Sequence, residues 1–132
     1  MNKLRKLFFY IFSKKKLNHN NSEKSFDEIY NDHGVFKYNE SGFFIDCENF
    51  HNNIKWEEIT ELNVYKKDLI TIDQIEMEIF CGDKYFVITE ELPGWFQFIS
   101  KTKEVFPTIP KDWDLNIIEP SFERNYTTIY RK

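Results

Sequence analysis

Glycine and proline are scarce in this chain, four of each among 132 residues. That scarcity excludes collagen-like and low-complexity disordered classes, which are rich in both. Cysteine is scarcer still. Cys47 and Cys81 share no CxxC spacing and lie in apolar, strand-like surroundings. They read as two small buried hydrophobes in a reducing compartment, and a disulfide between neighbouring strands stays open. No apolar run approaches the roughly 20 residues of a membrane span. His19, His33 and His51 stand apart in polar loops, so no zinc site is expected. GxSxG, HExxH and P-loop patterns are missing. The glycines, at positions 34, 42, 82 and 94, each have a turn or helix-start explanation. No metal or cofactor is expected.

Large rings and charge are what the chain has in quantity. Aromatic residues make up 18%, including 14 Phe, which implies a ring-rich core. A chain of this length buries about two-thirds of its unfolded surface and needs no disulfide or metal to fold. The net charge of −4 divides unevenly: +6 on residues 1–16, from Lys3, Arg5, Lys6, Lys14, Lys15 and Lys16, and −10 on the rest. An acidic body disfavours nucleic acid, whose phosphates require a basic surface.

Residues 1–25 read as a basic, apolar N-terminal arm and a polar linker, and 26–132 as a single domain. Within the arm, residues 7–12 (Leu-Phe-Phe-Tyr-Ile-Phe) are flanked by cations on both sides. A signal peptide would place a cleavage site where Ser13 and three lysines stand. Two readings remain. The rings pack on the domain as an extension, or they form an interfacial segment. In the second, Phe8, Phe9 and Phe12 enter a lipid boundary while Lys3, Arg5, Lys6, Lys14, Lys15 and Lys16 meet anionic headgroups. Residues 17–25 are polar and turn-forming.

In the body, residues 35–38 and 43–46 are expected to form a hairpin whose turn uses Gly42 for its backbone angle. Residues 48–53 read as a polar loop. Leu62 and Val64 alternate with polar residues along 61–67, as a half-buried strand requires. Residues 74–81 alternate most clearly, with Ile75, Met77, Ile79 and Cys81 on one face and Gln74, Glu76 and Glu78 on the other. Gly82 and Asp83 turn the chain into Lys84–Thr89. The period then changes. Pro93 suits a first helical turn, and Trp95, Phe98, Ile99, Thr102, Val105 and Phe106 fall on one helical face. Pro107 and Pro110 end it. The remainder reads as a helical turn and an extended tail. The expected class is α+β, an antiparallel meander capped by one C-terminal helix, an order similar to pleckstrin-homology-like domains. Trp56, Trp95 and Trp113 are expected in the core.

The densest polar stretch, residues 65–73, joins two strands, and Glu90 and Glu91 end the next. Lys66, Asp68, Asp73, Glu90 and Glu91 are therefore expected near one sheet end. They read as a charged recognition site, as carboxylates for acid–base work, or as turn and surface-pair residues.

Trp56-x-x-Ile59, Tyr65-Lys66-x-Asp68-Leu69-x-Thr71-x-Asp73, Glu90-Glu91-x-x-Gly94-Trp95, Trp113 and Pro120-x-Phe122-x-x-Asn125-x-Thr127 resemble a group of small uncharacterised bacterial proteins. The resemblance spans a little over half the chain and excludes residues 1–24. It implies a bacterial, cytoplasmic origin, brings no activity with it, and marks Lys66, Asp68, Thr71, Asp73 and Glu91 as a hydrogen-bond network or a binding site. The functional expectation is a non-catalytic domain that binds a basic protein partner, as an immunity protein binds a toxin, using Lys66, Asp68, Thr71, Asp73, Glu90 and Glu91. The alternatives are a membrane-peripheral adaptor at the inner face of the membrane, held by residues 1–16, and an enzyme built on the acidic cluster.

Overall fold

The computed structural model describes residues 7–12, 28, 32–119 and 123–132. It is a mixed α+β fold dominated by sheet. In chain order the strands are β1 (Leu7–Tyr10), β2 (Phe36–Tyr38), β3 (Gly42–Cys47), β4 (Phe50–Lys55), β5 (Ile59–Asp68), β6 (Asp73–Cys81), β7 (Lys84–Thr89) and β8 (Thr127–Arg131). Helix α1 (Trp95–Val105) follows β7, and a single turn, α2 (Trp113–Asn116), precedes β8. No helix among the described residues is long and apolar enough to cross a membrane.

The strands form two sheets rather than the single one expected. A five-stranded sheet has the order β1-β7-β6-β5-β8, and a three-stranded sheet the order β2-β3-β4. The second sheet exists because residues 50–55 are a strand and not a loop. Phe50 and Ile54 face inward and alternate with exposed His51, Asn53 and Lys55, a period of two hidden behind residues of poor strand propensity. Gly42 also differs from expectation. It lies inside β3 and takes no positive φ. Its need is space, since a Cβ there would sit 1.9 Å from the Ile54 carbonyl oxygen.

Residues 7–10, in the N-terminal arm, pack on the domain as an extended strand and not a frayed or helical extension, running parallel to β7 with Phe9 opposite Phe86. Phe9 meets the rings of Phe50 and Phe86 at 5.2 and 6.3 Å, and Ile11 is fully buried. Burying these side chains stabilises by about 2 kcal/mol each, which outweighs leaving them in a solvated arm. The linker residues 17–25 lie outside the described residues.

The core lies between the two sheets and α1. Phe98 of α1 stacks on Phe36 at 4.6 Å and meets Phe43 edge-on at 5.1 Å. Phe50 ties the small sheet to Phe86 of the large one at 4.9 Å. Trp95 and Trp113 are buried, and Trp56 packs partly buried against Phe43 at 4.7 Å. Helix α1 begins at Trp95, so Pro93 precedes the helix and does not occupy its first turn. Gly94 caps it at φ +93 and passes so close to His33 that a Cβ would lie 2.2 Å from that carbonyl oxygen. Both cysteines are free. Cys47 donates to the Phe12 carbonyl, which fastens the end of β1 to the small sheet.

Candidate functional site

Leu62, Val64, Met77 and Ile79 form cross-strand pairs on the core face of β5 and β6, so Asn63, Tyr65, Glu76 and Glu78 share the other face. The sequence reads that face as solvated. The structure makes it a second layer of buried polar contact, with Glu76 only 2% exposed. Tyr65 stands directly across from Glu76 and donates to its Oε1 at 2.7 Å. Tyr10, delivered by the parallel strand β1, donates to Oε2 at 2.9 Å. Glu78 accepts from Tyr126 at 2.5 Å. Neither carboxylate has a cation within ion-pair distance among the described residues. The phenols satisfy these carboxylate oxygens by hydrogen bonds and bring no countercharge.

Burial and the Glu76 carboxylate push the Tyr10 hydroxyl up to about 12, and the same causes raise Tyr65 further. Burial and Glu78 push Tyr126 up to about 12. All three remain hydrogen-bond donors at neutral pH. Tyr65 and Tyr126 stack at 5.8 Å, and the Arg124 guanidinium lies 4.8 and 5.5 Å from their ring centres. Lys67 sits over Tyr10 at 5.9 Å. Together Tyr65, Lys66, Lys67, Asp68, Glu76, Glu123 and Arg124 border a cleft of about 420 Å³. Beyond it, the β5–β6 turn exposes Leu69, Ile70 and Ile72. Ile70 is 90% exposed and held at φ +78, a conformation that β-branched residues rarely adopt.

Lys66, Asp68, Asp73 and Glu90 lie at one end of the large sheet, with Asp68 across from Asp73 and Glu90 bonded to Ile75, but each is engaged by the fold. Lys66 is buried on the core side, donating to the Ile118 carbonyl at 2.8 Å with Asp73 3.6 Å away. Asp68 builds the turn by accepting the Ile70 N–H. Glu90, reaching over from the end of β7, accepts the Ile75 N–H at 2.9 Å. Burial raises its pKa, the Ile75 bond lowers it less, and Glu91 adds to the rise. The Glu91 backbone bonds Thr89 and its side chain is exposed, as is Thr71. Of the six, only Lys66 and Asp68 border the cleft.

The membrane-contact set is divided. Phe9 is committed to core rings, Phe12 is 45% exposed, and of Phe8 only the strand backbone is described. Lys3, Arg5, Lys6, Lys14, Lys15 and Lys16 lie outside the described residues. His33 stands edge-on to Tyr38, and His51 meets Asp46 on the exposed side of the small sheet. No group of three or more metal-ligating side chains occurs among the described residues. Burial raises the Cys47 thiol and pushes that of Cys81 up to about 12, so both stay protonated and poorly nucleophilic at neutral pH.

Sequence reasoning missed Tyr10, Glu76, Glu78, Arg124 and Tyr126 as site residues. The available signal was the pair of acids at 76 and 78 on a strand opposite Tyr65. Comparison of the chain with protein-family models, curated proteins and solved structures finds no match.

Proposed function

We propose that this chain is a non-catalytic interaction domain that binds a basic protein partner through the outer, polar face of its large sheet. The observation that carries the reading is the pair Glu76 and Glu78, two carboxylates positioned by tyrosine hydroxyls and unneutralised by any ion pair among the described residues. A lysine or arginine of a partner supplies the missing charge at the half-buried Glu78. The neighbouring Tyr65, Arg124 and Tyr126 are of the residue types that anchor protein interfaces, and the −10 body accelerates encounter with a basic surface. An immunity protein that neutralises a basic toxin is one instance of this class. The likeness to pleckstrin-homology-like domains belongs to the same proposal and concerns architecture alone; it rests on the β5–β6–β7 meander followed by α1. Acid–base catalysis by the expected cluster has less support, because Asp68 and Glu90 are engaged by backbone N–H groups.

Affinity capture on the immobilised chain, followed by association kinetics with the recovered partner, tests the reading. The expected partner is rich in Lys and Arg, and its association slows about tenfold between roughly 10 and 150 mM salt. Capture is lost on a Glu76→Gln/Glu78→Gln double variant. A salt-independent association rate, or full retention by the double variant, overturns it.

A second reading, peripheral attachment to an anionic membrane, is favoured by the exposed Phe12 ring directly ahead of Ser13 and three lysines in the sequence. Equal sedimentation of the native chain and a Phe12→Asp variant with anionic vesicles would remove it.

A further inference from the structure

Among the described residues, strand β8 is an edge of the large sheet, and its register with β5 slips at one point. Leu62 pairs with Tyr130 and Asn63 with Thr128, which leaves Ile129 as the extra residue of a bulge. The bulge turns Ile129 toward the core side, where it is 4% exposed. There it joins Val64, Trp113 and Ile117 in lining a groove of about 470 Å³ between β8 and the α2 turn. Among the described residues, Glu119 is the one charged side chain in this lining. Trp113 is buried, and its indole N–H has no acceptor, which is unusual for a buried donor. Thr127 and Thr128 on the strand itself are exposed.

We infer that the β8 edge and the groove beside it form a docking site for an extended, basic peptide segment of a partner, added to the sheet as a further strand with an apolar side chain in the groove. An edge strand offers unpaired backbone groups to such a segment, and alternate side chains supply specificity. Glu119 and the acidic body select lysine or arginine beside the apolar residue. A second copy of this chain fits less well, because a bulge disrupts edge-to-edge pairing of long strands. The groove is on the core side of β5 and meets the Glu76 face only at Tyr126, so the inference stands without that reading.

Titration of the isotope-labelled full chain with a short blocked peptide of alternating Leu and Lys, followed by nuclear magnetic resonance, tests the inference. Saturable binding is expected to shift the Trp113 indole resonance and slow amide exchange along β8. Replacing every Lys of the peptide by Asp, or filling the groove with Thr127→Trp, weakens binding about tenfold or more. Glu119→Lys reverses the charge beside the groove and weakens binding about tenfold, which decides the matter if Thr127→Trp fails to fold. Absence of binding, or shifts confined to Tyr10 and Tyr65, overturns the site, and concentration-dependent self-association through β8 assigns it to a second copy instead. A basic partner that depends on Glu76 and Glu78 but binds Thr127→Trp unchanged defeats this inference while leaving the proposed function intact.

Discussion

Tyr65 and Glu76 face each other across β5 and β6, and the tyrosine hydroxyl donates to the carboxylate at 2.7 Å. The pair is a structural hinge of the outer, polar face, because Tyr10 completes the coordination of the same carboxylate from a strand on the far side of β7. Tyr65→Phe removes one of two donors to a buried anion and is expected to cost about 1–2 kcal/mol in denaturant unfolding. Glu76→Leu leaves both hydroxyls without their acceptor and is expected to cost more. Combining Tyr65→Phe with Glu76→Leu should cost less than the sum of the two.

Stability is expected to fall at alkaline pH. Tyr10 and Tyr126 titrate near 12 in the folded chain against an ordinary value of 10.0, and Tyr65 higher still. Above pH 10 the unfolded chain has released protons that the folded chain still holds, so the slope of stability against pH is negative. Their contribution is complete below about pH 10 and lost as pH rises through the folded values. Tyrosinate absorbance together with thermal unfolding between pH 9 and about 12 checks this, and Tyr65→Phe flattens the slope.

Gly42 and Gly82 separate two reasons for glycine. At Gly42 a Cβ meets the backbone of Ile54 and Lys55, whereas at Gly82 it meets nothing within 4 Å but φ is +62. Gly42→Ala is expected to cost about 3 kcal/mol or more by forcing β3 from β4. Gly82→Ala costs about 1 kcal/mol from backbone strain alone. Chemical denaturation of the two variants gives the comparison directly.

Ile70→Asn is expected to stabilise the chain. The isoleucine is 90% exposed, so little burial is lost, and asparagine tolerates the left-handed backbone far better. A gain of about 1 kcal/mol is anticipated, read as a higher unfolding midpoint. No gain would show that Ile70 leaves that conformation in solution.

The meander β5–β6–β7 and helix α1 were legible because each carries its own period, two and then about 3.6 residues. The alternation also assigned the two faces of β6 correctly, but it could not show that the polar face is covered. That cover comes from Tyr10, whose parallel pairing has no local sequence signature, and from Arg124 and Tyr126, which follow an irregular segment. Strand β4 escaped notice because His51, Asn52 and Asn53 mask the alternation of Phe50 and Ile54. The roles of the charged residues at the sheet end were not legible, because proximity there does not fix which backbone group or counter-ion a side chain meets. Lys66 and Asp73 went to the core side, and Glu90 closed onto the Ile75 backbone.

The parallel seating of Leu7–Tyr10 on Lys84–Thr89 has a consequence during synthesis. The first strand is made well before the one it pairs with, and loop closure over that separation carries an entropic cost that hairpin formation elsewhere in the sheet avoids. The hairpins β5–β6 and β6–β7 therefore assemble first, and the Leu-Phe-Phe-Tyr-Ile-Phe segment docks last. Until it does, the nascent chain displays an unpaired apolar stretch flanked by lysines, the kind of segment that chaperones retain and that drives aggregation when they do not.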